Sequence, residues 1–334
     1  VPPRVAESEL SQVYSDIAKS LQIVLEEILL HQVRYLREHT DTPNLCMAGG
    51  VALNCVANKR VLREGPFERL FVQPAAGDAG TCLGAAALAY ADITGQRHTT
   101  ERMKHVSLGP SYDSDDIAYL QSHLEIEAED YRGRPDELLD AVTDHLADGK
   151  VIGWFHGAME FGPRALGARS ILANPNDEDM RERLNALVKK REAFRPFAPA
   201  ILAEKAAEHL DLDHDSPFML ETCQVASDLS LPAITHVDGS CRPQTVRADV
   251  SPRFAALLEK FYRRTGCPIL LNTSFNVRGE PIVCSPLDAI RCFGGSGIEY
   301  LVLEDFVIGR DALFGMFEKL AEASQPKPQM DVFS

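Results

Sequence analysis

The sequence predicts an α/β fold divided into two domains. Short apolar strands alternate with helical segments, and two strands lead through glycine-containing turns directly into helices. The 334 residues exceed what one ordinary core holds. A polar stretch without periodicity, residues 94–109, separates the two parts as a linker. We therefore place the domains at residues 1–93 and 110–323, with a loose tail at 324–334.

The first domain begins with a long amphipathic helix. Apolar residues recur every three or four positions over residues 8–39, with Ser8 as a candidate N-cap. A strand at 45–48 follows, and the turn 49–54, which opens with two glycines, leads into the next helix. In many α/β folds such a turn binds phosphate or sugar at the helix N-terminus.

The next unit repeats this arrangement. A strand at 70–73 leads through the turn 74–80 into a small-residue helix that reaches about residue 91. Asp78 lies between glycines in this turn, where a carboxylate either caps the helix or ligates a metal that holds phosphates. The repetition strengthens the nucleotide-binding interpretation.

The second domain opens with two helices. The first covers 114–124 with Ser114 as a candidate cap, and the second covers 135–147 with a proline at its first position. An apolar strand at 151–155 follows and passes into a turn rich in glycine and proline.

This turn predicts an anion-binding site. Arg164 and Arg169 lie five residues apart around Gly167. Glycine lets backbone N–H groups approach a ligand closely, and arginine offers a planar donor fork that matches phosphate or carboxylate oxygens.

A second group of cations follows. The acidic run 177–179 predicts the start of a short helix that ends in Lys189, Lys190 and Arg191. These three residues either complement the helix dipole as solvated cations or extend the anion site. Arg195 comes next, directly before a proline in a turn between aromatic residues, and favours the anion site.

The segment after the cations predicts three strands, at 217–220, 233–237 and 241–247. His236 stands beside an aspartate and is either a hydrogen-bonded structural histidine, which we favour, or a general base. Arg242 and Arg247 add to the predicted anion pocket.

The last part of the chain predicts a helix at 252–265 and a strand at 268–271, which ends in neutral hydrogen-bonding groups at 272–276. Such side chains either orient a bound phosphate or carbonyl, which we favour, or satisfy their own loop. A helix at 286–293, a strand at 300–303 and a helix at 311–323 complete the predicted fold.

Composition narrows the function. With 34 basic and 49 acidic residues, the net charge of −15 argues against a nucleic-acid partner. The eight cysteines include no C-x-x-C pair, and we expect buried reduced thiols in a cytoplasmic protein. No apolar run reaches 18 residues, so we expect no membrane span. Because the chain begins without Met, we expect it to be a portion of a longer protein.

Six separated segments carry a family resemblance: AGGVALNCVAN (48–58), QPAAGDAG (73–80), MEFGPRALGARSIL (159–172), KKREAFRPFAP (189–199), HVDGSCRPQTV (236–246) and NTSFNVRGEPIVCSP (272–286). Together they resemble the NodU/CmcH type of O-carbamoyltransferase. The resemblance implies that the first domain is the C-terminal part of an actin/sugar-kinase-like (ASKHA) domain, and that the second is a YrdC-like α/β domain.

The implied reaction is ATP-dependent and has two steps. The YrdC-like domain would form carbamoyl-adenylate and pyrophosphate from carbamoyl phosphate and ATP with Mg²⁺, and the ASKHA domain would pass the carbamoyl group to a hydroxyl of a small-molecule acceptor. A K-x-R…S-x-N signature matches Lys189, Arg191, Ser274 and Asn276. The residues expected to bind carbamoyl phosphate and ATP are Arg164, Arg169, Lys189, Arg191, Arg195, Arg242, Arg247, Asn272, Ser274 and Asn276. Of these, the expected catalytic residues are Lys189, Arg195, Arg164 and Ser274.

In the first domain the resemblance implies a nucleotide-binding turn of Gly49, Gly50, Asn54 and Gly77. Asp78 matches a carboxylate ligand of an Fe(II) ion, but the histidine pair that completes the iron site in the family is missing here, since no two of the ten histidines lie four apart. Two other hypotheses stay open: a non-catalytic nucleotide- or anion-binding subunit whose partner supplies the missing N-terminal half, and a sugar-kinase-like phosphotransferase.

Overall fold

The computed structural model describes residues 3–4, 8, 10–96, 103–189, 191 and 194–313. These residues divide into two compact units. The first unit lies within residues 1–100 together with Met219–Cys223, and the second takes the remainder of the chain.

The first unit is built on a pair of parallel strands. Its elements are α1 (Gln12–Glu38), β1 (Asn44–Met47), α2 (Cys55–Glu64), β2 (Arg69–Val72) and α3 (Thr81–Thr94). Parallel pairing of β1 and β2 needs a crossover connection, which α2 provides. A core of Val33, Leu45, Val61 and Phe67, with Leu70 of β2 packed against it, holds α1, α2 and the two strands together.

The helix α1 begins later than the sequence suggested. The expected cap Ser8 lies outside it, and Ser11 occupies the N-cap position with extended backbone and without a side-chain cap hydrogen bond. Apolar periodicity therefore located the helix but not its first residue.

The second unit contains an eight-stranded mixed sheet in the order β3-β12-β11-β4-β5-β10-β6-β9. Its strands are β3 (Glu129–Asp130), β4 (Ile152–Phe155), β5 (Arg169–Ala173), β6 (Ala198–Leu202), β9 (Gln244–Val246), β10 (Ile269–Ser274), β11 (Tyr300–Leu303) and β12 (Phe306–Gly309). A separate two-stranded sheet joins β7 (Cys223–Gln224) and β8 (Ser240–Cys241). The helices are α4 (Ser114–Leu124), α5 (Pro135–Ala147), α6 (Met180–Leu184), α7 (Ala206–His209), α8 (Pro252–Thr265) and α9 (Pro286–Gly294).

Helices α5 and α8 contact each other and match the predicted ranges. Each begins with proline at its first turn, where the missing N–H costs no intrahelical bond. Apolar residues such as Leu138 and Phe261 are fully buried. Helix α4 is also where it was predicted, but its cap is Asp113, which forms a capping box with Asp116, and not Ser114.

One end of the sheet gathers four chain segments. Phe155 at the end of β4 pairs with Arg169 at the start of β5, and Ser170 pairs with Ser274 at the end of β10. Asn272 of β10 pairs with Ala198 at the start of β6. The predicted anion-binding segments therefore meet at this end of the sheet.

Several strand predictions were wrong. Residues 217–220 and 233–237 form turns, and residues 241–247 divide between β8 and β9, which belong to different sheets. The predicted strand 268–271 continues to Ser274, so three of the expected loop groups lie on β10. The helix predicted at 311–323 lies mostly outside the described residues. Its first three residues belong to a 3₁₀ turn at Arg310–Leu313.

All eight cysteines are free thiols, but Cys46 and Cys82 are exposed, contrary to the expectation of burial. Burial raises the pKa of Cys267 to about 11 and that of Cys292 to about 12. Within the part of the chain that the structure describes, no helix is both long and apolar enough to cross a membrane.

The packing of Gly167 can be tested by substitution. Gly167 (φ +103°) and Gly157 (φ +64°) both have left-handed backbone, but only at Gly167 would a Cβ lie 2.4 Å from Cδ1 of Phe254. Gly167→Ala should therefore lower the free energy of unfolding by about 1 to 3 kcal/mol more than Gly157→Ala, which carries only the backbone cost. Urea unfolding followed by fluorescence of Trp154, the single tryptophan, would measure both; equal losses would contradict this packing.

Candidate functional site

A buried carboxylate shapes the turn between β4 and β5. Glu160 is 5% exposed, and its Oε1 accepts hydrogen bonds from the backbone N–H groups of Leu166 (2.6 Å), Ala168 (2.7 Å) and Arg169 (3.2 Å). These amides, which the glycine-rich sequence suggested for an external anion, are thus taken by an internal one. Arg164 lies in the same turn and is half-buried.

Arg169 is fully buried, and its Nη groups bind the main chain. They donate to carbonyl oxygens at 3.0–3.3 Å, namely those of His156, Gly157, Ala168 and Pro110. The guanidinium carbon lies 3.5 Å from the ring centre of Phe155, and burial lowers the pKa of Arg169. In this structure Arg169 therefore holds the ends of β4 and β5 together.

The lysine and the S-x-N residues of the signature lie in contact. A π-helical turn, Asn185–Lys189, brings Lys189 to the end of β10. Its Nζ donates to Asn276 Oδ1 (2.7 Å) and O (3.1 Å) and to Ser274 Oγ (3.1 Å) and O (2.5 Å). Ser274 Oγ donates in turn to Asn276 Oδ1 (2.7 Å). We call Lys189, Ser274 and Asn276 the lysine cluster.

The lysine cluster contains no carboxylate. Lys189 is 7% exposed, and the four atoms that accept from its Nζ are carbonyl and hydroxyl oxygens. Burial, together with the positive charge of Arg191, lowers the pKa of Lys189 to about 7. A phosphate oxygen beside Nζ would supply a counter-charge that no described residue provides, and would favour the protonated amine.

Two further cations flank this turn. Arg191 Nε donates to Asn185 Oδ1 (2.8 Å), and its guanidinium carbon lies 4.7 Å from the ring centre of Phe197. Asn185 Nδ2 also donates to the carbonyl of Arg195 (2.9 Å), whose side chain is exposed. Asn185, which the sequence did not single out, therefore fixes the backbone that carries both arginines.

Asn272 of β10 is 1% exposed and contacts the turn between β4 and β5. Its Nδ2 donates to Gln244 Oε1 (2.7 Å) and to the carbonyl of Ala165 (3.3 Å), and Gln244 Nε2 donates to the carbonyl of Leu166 (2.8 Å). The structure thus gives Asn272 a positioning role for the turn that carries Arg164.

The two later arginines differ in their surroundings. Arg242 is half-buried, just before β9. Arg247 is exposed and forms ion pairs with Asp249 (3.0 Å) and Asp215 (3.5 Å), so two carboxylates already balance its charge. His236 lies in a turn and contacts Asp238 Oδ1 at 3.1 Å, as a hydrogen-bonded histidine would.

In the first unit, the predicted nucleotide turn is formed by Gly49 (φ +98°) and Gly50, beside which there is open space. Asn54 caps α2 by accepting from Ala57 N (3.1 Å), and its Nδ2 donates to Gln22 Oε1 (2.8 Å). The side-chain amide of Asn54 therefore stabilises the start of α2 and its contact with Gln22 of α1.

The iron prediction does not fit the residues present. Asp78 is exposed and follows Gly77 at the start of a 3₁₀ turn, without capping the helix through its side chain. Across the described ranges, no three His, Cys, Asp or Glu side chains are grouped as a metal site would require. Asp78 alone cannot hold iron, and we assign no chemistry to it.

Sequence reasoning missed a buried charged network at the β11–β12 hairpin. Glu304 has left-handed backbone (φ +49°), unusual for this residue type, and accepts from Gly157 N (2.6 Å). Its Oε2 lies 2.6 Å from His156 Nδ1, and Arg253 lies beside both while donating to Asp305. The only indication of this network is a charged pair buried in a tight hairpin, and that burial is seen in the structure and not in the sequence.

Two family models match the sequence. "Carbamoyltransferase N-terminus" matches residues 3–87, and "Carbamoyltransferase C-terminus" matches residues 143–310.

Curated relatives agree with these models. An uncharacterised protein of Synechocystis sp. is 44% identical over 93% of this chain and 55% of its own length. Nodulation protein NolO of Bradyrhizobium diazoefficiens is 43% identical over 89% of this chain and 55% of its own length. The 3'-hydroxymethylcephem-O-carbamoyltransferase of Amycolatopsis lactamdurans is 35% identical over 80% of this chain and 49% of its own length. The chain thus spans about half the length of the curated relatives it matches.

Among solved structures, full-length HypF in its phosphate- and nucleotide-bound form aligns with a TM-score of 0.37 and 18% identity. The alignment covers 51% of this chain and 25% of HypF. A similarity this low carries no argument about fold or function.

The lysine cluster should make stability depend on pH. The pKa of Lys189 is about 7 in the folded chain and about 10.5 when unfolded, so only the unfolded chain holds this proton between those values. Stability should therefore rise with pH from 7 to 9.5 by up to about 1.4 kcal/mol per unit. Urea unfolding of Lys189→Met should show a shallower rise. Lys205→Met, which removes a surface ammonium paired with Glu208, is the control, and equal slopes in all three proteins would contradict the buried charge.

Proposed function

This chain belongs to the carbamoyltransferase family, and from that premise we propose that its second unit forms carbamoyl-adenylate from carbamoyl phosphate and ATP. The carbamoyl group would then pass from the adenylate to a hydroxyl of a small-molecule acceptor, with release of AMP and the hydroxyl proton. The name of one relative, 3'-hydroxymethylcephem-O-carbamoyltransferase, supports transfer to a hydroxyl of a small molecule, and we propose a secondary metabolite or a saccharide as the acceptor. Because the chain spans about half of these relatives, the transfer step is proposed for the longer protein.

The proposed first step converts carbamoyl phosphate, water and ATP into carbamoyl-adenylate, phosphate and pyrophosphate. Water releases carbamate and phosphate, and a carbamate oxygen then attacks the α-phosphorus as the bond to pyrophosphate breaks. Negative charge grows on the phosphate oxygens during this displacement, so fixed cations stabilise the transition state. ATP is proposed to bind as its Mg²⁺ complex, whose cation neutralises part of that charge.

The lysine cluster is the observation that carries this proposal. Within the part of the chain that the structure describes, the nearly buried ammonium of Lys189 has no ion-pair partner, which is costly unless an anion binds. Ser274 and Asn276 hold Nζ in place, so little reorganisation is needed when phosphate binds. Arg191 and Arg195 follow on the same segment, and we propose that they and Arg164 bind the remaining phosphates.

A second candidate is a non-catalytic anion-binding subunit that needs a partner. One observation favours it: helix α3 has no buried residue, and Leu88 (69% exposed) and Ile93 (84% exposed) project from it. In this candidate the lysine cluster binds phosphate without turnover.

Pyrophosphate exchange separates the two candidates. With carbamoyl phosphate present, the chain should exchange labelled pyrophosphate into ATP, and Lys189→Ala or Arg195→Ala should reduce the rate at least about 100-fold, as loss of a group that stabilises transition-state charge does. Lys205→Ala is the matched surface control.

Full exchange in both variants would refute the assignment of these residues. No exchange by the wild-type chain, with ATP still bound, would favour the anion-binding subunit. Trp154 fluorescence would show that each variant is folded.

A further inference from the structure

The chain that follows the first unit is held by main-chain hydrogen bonds soon after it enters the second unit. Its sequence predicted a linker at 94–109, but the end of this range pairs with the β4–β5 turn, where Ser107 and Glu160 form an isolated antiparallel bridge. We call residues 106–110 the strap. Its main-chain hydrogen bonds to the turn run from Phe161 N to Val106 O (2.7 Å), from Gly109 N to Met159 O (2.9 Å) and from Met159 N to Pro110 O (2.9 Å).

The strap pairs with the residue that closes the β4–β5 turn. The main chain of Glu160 faces Ser107 of the strap, and its side chain accepts hydrogen bonds from three backbone amides of the turn. A shift of the strap would therefore move the carboxylate relative to those amides. Because Arg164 lies in the same turn, the strap helps to set the position of Arg164.

Two further contacts tie the strap and the residues after it to β4 and β5. Arg169 Nη2, at the start of β5, donates to the carbonyl of Pro110 (3.2 Å). The ring of Tyr112 lies 6.0 Å, centre to centre, from that of Phe155 at the end of β4. Val106 is buried, with 5% of its surface exposed. The strap is therefore part of the structure that surrounds the turn.

Gly109 allows the strap to approach the turn closely. A Cβ at this position would lie 3.0 Å from both the Cβ and the carbonyl oxygen of Met159. Gly109 has no left-handed backbone, so the constraint here is space and not conformation. A branched side chain at position 109 would push the strap away from Met159.

Pairing of the strap and binding of an anion involve the same turn. If the paired strap favours the turn that binds an anion, a bound anion must favour the paired strap by the same factor, since such coupling is reciprocal. We propose that the strap and anion binding at the Arg164 turn stabilise each other. A phosphate ligand of the second unit would thus order the chain that leads into this unit. The inference rests on the proposed function, in which Arg164 binds phosphate.

Hydrogen–deuterium exchange of the full chain tests the inference, with tripolyphosphate as the probe because it carries the phosphates of ATP without the nucleoside. Peptides covering 103–112 and 157–163 report on the amide hydrogens of Gly109, Met159 and Phe161. Saturating tripolyphosphate should slow their exchange about 10-fold, a usual size of coupling between two sites. In Arg164→Ala, a saturating concentration of the probe should give no such protection.

Substitution of Gly109 tests the coupling in the reverse direction. Gly109→Val should weaken the affinity for tripolyphosphate by the same factor of about 10, measured by calorimetric titration, because the strap no longer supports the turn. Gly84→Val is the matched control, since Gly84 lies in helix α3 with open space at its Cβ position, and it should bind the probe as the wild-type chain does.

The inference is overturned if tripolyphosphate fails to bind the wild-type chain, if it binds without slowing exchange in the strap, or if Gly109→Val binds it as tightly as the wild type. Should Gly109→Val fail to fold, the exchange of the wild type and of Arg164→Ala decides. Pyrophosphate exchange is measured separately. Turnover without protection of the strap contradicts this inference alone, and protection without turnover contradicts the proposed catalysis alone.

Discussion

The hydrogen bonds that three backbone amides donate to Glu160 determine the shape of the site. They close the β4–β5 turn around an internal carboxylate, which sets the path of the segment that carries Arg164. Arg169 holds the same turn by donating to the carbonyl of Gly157, and Asn272 holds it by donating to the carbonyl of Ala165 and to Gln244. The turn is therefore preorganised, and little is left for a ligand to order.

The ammonium of Lys189 in the lysine cluster has no ion-pair partner among the described residues. Arg247 and Arg253 of the second unit, by contrast, each form an ion pair with an aspartate. The atoms that accept from the Nζ of Lys189 are neutral oxygens of Ser274 and Asn276, and burial lowers the pKa of this lysine to about 7. Perturbed pKa values of this kind concentrate at functional sites, although structural networks also produce them. The contrast with the paired arginines is what makes phosphate binding the preferred explanation.

Local signals in the sequence predicted the regular helices well. Proline at the first turn and apolar periodicity gave α5 and α8 their full ranges. Short apolar runs were less informative. Ala233 and Ile234 are buried, but Ile234 N donates to the carbonyl of Leu231 in a turn, because burial alone does not require strand pairing. The contact of Lys189 with Ser274 and Asn276 spans more than 80 positions, so only the family resemblance could suggest it. Glu160 was missed because one glutamate in a glycine-rich turn gives no sign of the amides around it.

The most direct test of the account is whether phosphate binding protonates Lys189. At pH 8 an amine with a pKa of about 7 is mostly neutral, and a bound triphosphate should raise that pKa. Calorimetric titration with Mg-ATP in two buffers of different ionisation enthalpy would count the protons taken up. We predict uptake approaching one proton in the wild-type chain and none in Lys189→Met. Binding of ATP without proton uptake, or the same uptake in both proteins, would contradict a phosphate site at Lys189.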